Sequence, residues 1–469
     1  MNPADLLIPS LRSAYRSGRL SVTDLILQLL DRADRAQERH IWITRLGRAQ
    51  VMRYVEALAA QSIDALPLYG IPFAIKDNID LAEVATTAAC PQFVYTPTES
   101  AMVVQKLLAA GAIPIGKTNM DQFATGLAGT RSPYGICRNS FDENYISGGS
   151  SSGSAVAVAT GLASFSLGTD TAGSGRIPAA FNNLIGLKPT RGRLSTRGVV
   201  PANRSLDCVS IFALDSEDAA TVLDVTEGYD GADIYSRKLG NPAITALRFG
   251  VPRRDQLEFF GDTEYARLFD IATARIEALG GTRVEIDFAP FLAVARLFHG
   301  GPWVAERYAA VGDFMDSHPD AVHPVTRAFI AGGKTTLARD AFEAQYRLLA
   351  LKRASESAWA QADLLVAPTA GTIYAIEAIE ADPVRLNATL GHYAIFMNFF
   401  DLAGVAVPAG FRADGLPFGI CLIGPQSTER ALLKIAGRLH RVPLGVGKLE
   451  LADGSSVPET ICDMKAASL

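Results

Sequence analysis

The chain has little of what the commonest enzyme sites are built from. Its 469 residues include only six histidines, His40, His299, His318, His323, His392 and His440, and none falls between positions 60 and 210. There is no HExxH, the five cysteines (Cys90, Cys137, Cys208, Cys421, Cys462) form no CxxC, and the acidic residues show no metal-site spacing. The usual zinc patterns are therefore excluded. Scattered cysteines, odd in number, read as reduced thiols of a cytoplasmic protein. No apolar run reaches the roughly 18 residues that a membrane-spanning helix needs. Residues 1–30 contain Asp5 and Asp24 and no apolar stretch leading to a small-residue cleavage site, so no secretory leader is expected. Basic blocks are also missing and the formal net charge is −5, which speaks against a nucleic-acid partner. No internal repeat is visible.

What is present is 48% hydrophobic and 20% charged, the balance of a globular chain with a large core. Leu6, Leu7 and Leu11 mark one apolar helical face, and Ser21 with Asp24 forms an S-x-x-D capping signal before Leu25, Ile26, Leu29 and Leu30. Residues 41–44 read as a short strand and 48–61 as helix. A strand over 68–76, a helix over 98–110 stopped by Gly111 and a strand over 112–116 give a strand–helix–strand succession, the mark of α/β architecture. Helix is expected over 152–160, strand over 163–167, helix over 174–183, and a helix capped by Ser216 through 225. After a connector at 242–245 come a strand (247–252), a helix ending at Gly280-Gly281, an alternating strand (284–288) and a helix-rich stretch over 291–362. Apolar strands at 363–368 and 404–408 follow, with Asp414-Gly415 as the turn of a hairpin and a last helix over 427–440.

The most unusual run is residues 147–176, SGGSSSGSAVAVATGLASFSLGTDTAGSGR, in which two serine-glycine turns flank a small-residue segment. Gly149-Ser150-Ser151-Ser152-Gly153 formally matches the G-x-S-x-G nucleophile elbow, but that motif needs a histidine partner and none sits in a triad context. It fails as a phosphate cradle too, because no Lys-Ser/Thr follows it. Alone, the run is better read as a Ser/Gly-rich turn. Thr171-Ala172-Gly173-Ser174 falls at a strand-to-helix junction, a place where several backbone N–H groups can converge on an oxyanion; the plain alternative is an N-cap serine. Lys76 ends a buried strand after Phe73, Ala74 and Ile75, so it either reaches solvent, pairs with a carboxylate, or loses its charge. A neutral lysine is a competent base where histidine is missing. Gly333-Lys334-Thr335 imitates the end of a P-loop, but Ala328 stands where the first glycine belongs.

Taken together, residues 70–79 (GIPFAIKDNI), 116–122 (GKTNMDQ), 148–155, 168–176, 186–190 (GLKPT) and the hairpin at 415–417 resemble the amidase signature family, in order and in spacing. The resemblance extends to about residue 445. It implies an α/β/α sandwich with a large mixed central sheet covered by helices, and no metal or organic cofactor. By the resemblance, Ser174 is the nucleophile, Ser150 the bridging serine after a cis peptide, and Lys76 the general base. Thr171, Ala172, Gly173 and Ser174 supply the oxyanion N–H groups, and Asp170 and Arg176 brace the turn.

Within the family, the runs 121–135, 169–183, 199–213 and 301–307 (GPWVAER) are similar to those of the allophanate hydrolases. This implies a small-molecule substrate, allophanate, with Arg307 binding its carboxylate. It also implies a cytoplasmic homodimer in urea degradation. Departures are His299 where a substrate-contacting tyrosine is expected, and Ala394-Ile395 where Thr-Asn is expected. The expected organisation is one amidase domain over 1–445: a helical part at 1–62 as the possible dimer contact, a signature core at 63–215, and a remainder at 246–445 that selects substrate. Residues 446–469 read as a tail or linker, with the decarboxylation-type C-terminal domain of such enzymes absent. The other readings are a different amidase or an amidotransferase A-like component, and a silent amidase fold acting as a scaffold, against which the intact Lys76, Ser150 and Ser174 argue.

Overall fold

β-Branched and aromatic residues in short runs between glycine and proline breaks build eleven strands into one sheet. The computed structural model describes residues 6–299 and 301–440 together with the short strands Leu449–Glu450 and Ser456–Val457. In chain order the sheet strands are β1 (Trp42–Arg45), β2 (Pro72–Lys76), β3 (Ile113–Thr118), β4 (Phe165–Asp170), β5 (Ile185–Lys188), β6 (Cys208–Ala213), β7 (Arg248–Pro252), β8 (Thr282–Ile286), β9 (Leu364–Pro368), β10 (Ala403–Phe411) and β11 (Pro417–Gly424). Their spatial order is β1-β3-β2-β4-β6-β5-β10-β11-β9-β7-β8. Pairing is parallel for β3-β2-β4 and for β9-β7-β8, and antiparallel elsewhere. The sheet is thus mixed and flanked by helices, as expected. The pairing of β5 with β10 ties the 63–215 segment to the chain's later half in one continuous sheet.

Register decides what the sheet can hold. Phe73, Ala74 and Ile75 of β2 pair in parallel with Phe165, Ser166 and Leu167 of β4. Parallel neighbours end at the same edge, so Lys76 at the end of β2 emerges beside Gly168, Thr169 and Asp170. On the far side β4 meets β6 antiparallel. This change of direction opens a crevice at the carboxyl ends of β2 and β4, the general position of ligand sites in open α/β sheets.

Most local expectations have direct physical counterparts. Ser21 caps the helix Val22–Arg35, its Oγ accepting from the Asp24 N–H at 3.0 Å and donating to the Asp24 carboxylate at 2.7 Å. Gly111, at φ 91°, ends the segment after the helix Met102–Ala109. Three expectations need correction. The helix expected over 174–183 is only Ile177–Phe181, because residues 171–176 are held in a turn by Asp170. The cap of the helix Ser216–Thr226 is Asp215, whose side chain accepts from the Asp218 N–H at 2.8 Å. Strand β6 has no counterpart among the expected strands, although all six of its residues are buried. The P-loop imitation is a short 3₁₀ turn, Gly332–Thr335, whose Lys334 pairs with Asp316 at 2.7 Å. Among the described residues no helix is long and apolar enough to cross a membrane. The expected tail at 446–469 lies outside the described residues apart from the two short strands.

The helix Ser152–Ala159 is buried along all eight residues, which explains its serine, glycine and alanine content. Gly153 is the closest approach: a Cβ there would lie 2.3 Å from the Ile41 carbonyl oxygen and 2.7 Å from the Asn119 nitrogen. Both neighbours are backbone and cannot swing aside. Gly153→Ala is expected to lower stability by about 1–3 kcal/mol, the usual cost of overpacking, read as a shift in the denaturant midpoint.

Candidate active site

The site grows from two turns at the carboxyl ends of β2 and β4. Lys76 is fully buried, and its Nζ donates to Ser150 Oγ at 2.7 Å and to Thr169 Oγ1 at 2.8 Å. Asn78 adds a bond to Thr169 Oγ1 at 3.2 Å. Burial pushes the Lys76 ammonium down to about 7, against the opposing pull of Asp121, Asp170 and Asp207 and with help from the charge of Arg307. Ser150 follows the one cis peptide among the described residues, Gly149–Ser150. The Ser151 hydroxyl donates to the Thr169 carbonyl at 3.1 Å and stitches the first serine turn to the end of β4.

The second turn is shaped by Asp170. Its carboxylate accepts from the N–H groups of Gly173 (2.9 Å) and Gly175 (3.0 Å) and from Arg176 Nε and Nη2, both at 2.9 Å. Carboxylate and guanidinium are both fully buried. Burial works against the Asp170 anion, but Arg176 outweighs it and holds the carboxyl below its ordinary range. Arg176 is anchored in turn by the Ala394 carbonyl at 3.0 Å and Asn398 Oδ1 at 3.2 Å. Gly173 sits at φ 134°, and a Cβ there would lie 2.8 Å from the Ala394 Cβ.

The turn opens into a cavity of about 550 Å³ lined by Thr171, Ala172, Ser174, Thr125, Phe298, Phe329 and Arg307, among others. The N–H of Gly173, one of the four expected oxyanion donors, donates to Asp170 at 2.9 Å. The N–H groups of Thr171, Ala172 and Ser174 have no acceptor among the described residues. Ser150 and Ser174 are not hydrogen-bonded to each other here, and the Ser174 hydroxyl has no partner among the described residues. Hydrogen bonds of this kind often tighten only when substrate binds.

Arg307 is buried, with Nη1 donating to Thr125 Oγ1 at 2.8 Å and the guanidinium carbon 5.4 Å from the Phe298 ring and 5.9 Å from the Phe329 ring. Among the described residues no carboxylate forms a salt bridge with it, and burial lowers its pKa to about 10. His299 ends the helix Ala295–His299, and its side chain lies outside the described residues. Among the described residues no group of three or more His, Cys, Asp or Glu is arranged to hold a metal ion.

Three residues carry more of the site than their sequence context suggested. Asp121 accepts from the N–H groups of Gly129 (3.0 Å) and Arg131 (2.9 Å), while its own N–H donates to the Ser150 carbonyl at 3.1 Å. It thereby joins the Ser150 turn to the loop at 125–131. Thr125 receives Arg307. Asp207 accepts from Thr171 Oγ1 at 2.5 Å and from the N–H groups of Ala202 and Asn203, and burial pushes its carboxyl up to about 6. All three lie within runs that carried the family resemblance, but nothing in their spacing assigned them a partner.

Known proteins share this chain's sequence and fold. A family model described as Amidase matches residues 24–433, and the chain belongs to that family. It is 44% identical over 422 residues to a urea amidolyase of Saccharomyces cerevisiae, covering 88% of this chain and 23% of that protein. The chain thus spans under a quarter of that relative's length. It is 31% identical over 467 residues to the A component of a Streptococcus thermophilus glutamyl-tRNA(Gln) amidotransferase, covering 92% of this chain and 94% of that one. Among solved structures it is similar to a Kluyveromyces lactis allophanate hydrolase, with a TM-score of 0.89 at 41% identity, covering 93% of this chain and 72% of that chain.

Breaking the buried pair at the second turn would leave Arg176 without its counter-ion. Asp170→Ala is expected to destabilise the fold by about 3–5 kcal/mol in chemical denaturation, far more than removal of an exposed pair.

Proposed function

We propose that this chain is an allophanate (urea-1-carboxylate) hydrolase that releases ammonia and N-carboxycarbamate. The observation that carries the reading is Arg307, a buried guanidinium with no carboxylate partner among the described residues, on the wall of the cavity into which Ser174 opens. A substrate carboxylate supplies the missing charge, in the planar two-point contact that guanidinium makes well. The similarity to urea amidolyase and allophanate hydrolase supports the same substrate.

In the proposed reaction, neutral Lys76 takes the Ser150 hydroxyl proton as Ser150 takes that of Ser174. Ser174 Oγ attacks the terminal ureido carbonyl of H2N–CO–NH–COO⁻. The oxyanion lies against the N–H groups of Thr171, Ala172 and Ser174, each worth roughly 100–1,000-fold in rate in comparable sites. Ser150 returns a proton to the leaving nitrogen, the C–N bond breaks and ammonia departs. Water then enters by the same relay, cleaves the acyl–Ser174 ester and releases the dicarboxylate. Because Lys76 titrates at about 7 and acts as the free amine, the reaction needs the form present above that pH. We assign residues 1–445 to this amidase unit, working in the cytoplasm. The four described cysteines, all buried and free, are in keeping with that compartment. The amidotransferase relative supports a second reading, amide hydrolysis in the service of a partner protein.

Ammonia release from allophanate, malonamate and neutral amides, measured without a partner, separates the readings. Preference for the carboxylated substrates supports the first, and activity only with an added partner supports the second. Ser174→Ala is expected to abolish release. Arg307→Ala is expected to lower kcat/KM for allophanate by about 10–100-fold, the loss of one charge-assisted contact. Wild-type hydrolysis by that variant would overturn the substrate and leave the amidase reading standing. The pH profile of kcat/KM should rise through about 7 to a plateau; a profile flat from pH 5 to 9 would rule out Lys76 as the base.

A further inference from the structure

One short turn of the chain holds both ends of the substrate site. Residues 202–207 lead into β6 and fold back on themselves, the N–H groups of Leu206 and Asp207 both donating to the Asn203 carbonyl at 2.8 Å. Asp207 closes the turn, its carboxylate accepting from the Ala202 N–H at 2.9 Å and the Asn203 N–H at 3.1 Å. The same carboxylate accepts the Thr171 hydroxyl at 2.5 Å, on the loop whose N–H groups face the cavity. The Leu206 carbonyl accepts from Asn398 Nδ2 at 3.0 Å, and that amide also holds the Asp170 carbonyl at 2.8 Å.

The other side of the turn grips the helix Trp303–Ser317, which carries Arg307. Glu306 Oε1 accepts from the Ser205 N–H at 2.8 Å, and Oε2 from the Ser205 hydroxyl at 2.7 Å. Asn203 Nδ2 donates to the Trp303 carbonyl at 2.7 Å and to Glu306 Oε2 at 3.3 Å. Glu306 directly precedes Arg307, so holding its carboxylate holds the first turn of the helix from which the guanidinium extends. Among the described residues none of 202–207 lines the cavity, so the turn acts through what it holds.

What it holds at a set distance are the Ser174 loop and Arg307. Allophanate has one atom between its scissile carbonyl and its carboxylate carbon. One more methylene adds a bond of about 1.5 Å. A misplacement of about 1 Å at a reacting centre costs on the order of 100-fold in rate.

We infer that Asp207 and Glu306 are positioning residues which, through the turn 202–207, fix the span between Ser174 and Arg307. They thereby select amides in which a single atom separates the scissile carbonyl from the carboxylate. The inference rests on the reading of Arg307 as the carboxylate contact.

Ammonia release from malonamate, with one intervening carbon, and from succinamate, with two, measures the span. Wild type is expected to favour malonamate in kcat/KM by about 100-fold or more. Glu306→Ala cuts the tie at the helix and Thr171→Val the tie at the loop. Each is expected to narrow that preference by about 10-fold, with malonamate losing and succinamate holding. The double variant should narrow it no further than the stronger single one, because both cut the same connection. Glu306→Gln, which keeps an acceptor for the Ser205 N–H, should lie between wild type and Glu306→Ala. Labelling of Ser174 by a fluorophosphonate, which needs no carboxylate contact, should proceed in Glu306→Ala as in wild type. A malonamate preference unchanged in both single variants overturns the inference and leaves the substrate reading standing. So does an equal loss on both substrates, or a fall in labelling that matches the loss of malonamate turnover. Wild-type hydrolysis of neutral amides as fast as malonamate overturns the Arg307 reading and the inference with it.

Discussion

The turn at the end of β4 exists because one buried carboxylate is fully occupied. Asp170 takes two backbone N–H groups and both arms of Arg176, and this set of bonds curls residues 171–176 into a loop. The support continues outward, since Arg176 is held by Ala394 and Asn398, and their segment rests on the ring cluster of Phe288, Phe291 and Phe396. Phe291 also touches Trp359 of the long helix Ala338–Gln361, so the chain of packing from the turn reaches that helix.

The electrostatics of the cavity follow from burying cations without giving each an anion. Lys76 has hydroxyl partners, Ser150 and Thr169, in place of a carboxylate, so desolvation outweighs the pull of Asp121, Asp170 and Asp207 and the ammonium is pushed down to about 7. Lys117, one strand over and buried as well, stands 3.4 Å from Asp77, whose charge opposes the lowering that burial causes. Arg307 has the Ala124 carbonyl, Thr125 and two aromatic faces but no salt-bridged carboxylate among the described residues, and so presents a charge that a ligand can complete. The acidic groups nearby are each engaged elsewhere, Asp121 with the loop at 125–131 and Asp207 with Thr171 and the backbone at 202–203. Had any of them paired with Lys76 or Arg307, the cavity would hold a spectator salt bridge.

Local sequence made much of this legible. Glycine breaks, the Ser21 cap, the Asp414-Gly415 hairpin and the small-residue helix at 152–159 depend on neighbours a few residues away, and short-range chemistry announces them. The boundaries of β8 and of the helix after Ser174, the cap at Asp215 and the whole of β6 were not legible. β6 lies between two antiparallel neighbours, β4 and β5, and has no alternation to mark it because both faces are covered. The G-x-S-x-G match, discounted for want of a histidine, has a packing reason: a Cβ on Gly153 would lie 2.3 Å from the Ile41 carbonyl oxygen.

The sequence by itself determined the residue types and their order: a lysine closing an apolar strand, serines in two glycine-rich turns, and an arginine in a distant helix. Those choices set what chemistry is possible, because side-chain functional groups are a local property. Only the tertiary structure decided which of them meet. The parallel register of β2 against β4 brings Lys76 within 2.7 Å of Ser150 across a separation of 74 residues. The fold also spends the Gly173 N–H on Asp170, a competition between acceptors that no linear pattern records. Burial then converts an ordinary ammonium into a base, and burial is a property of the packed chain alone.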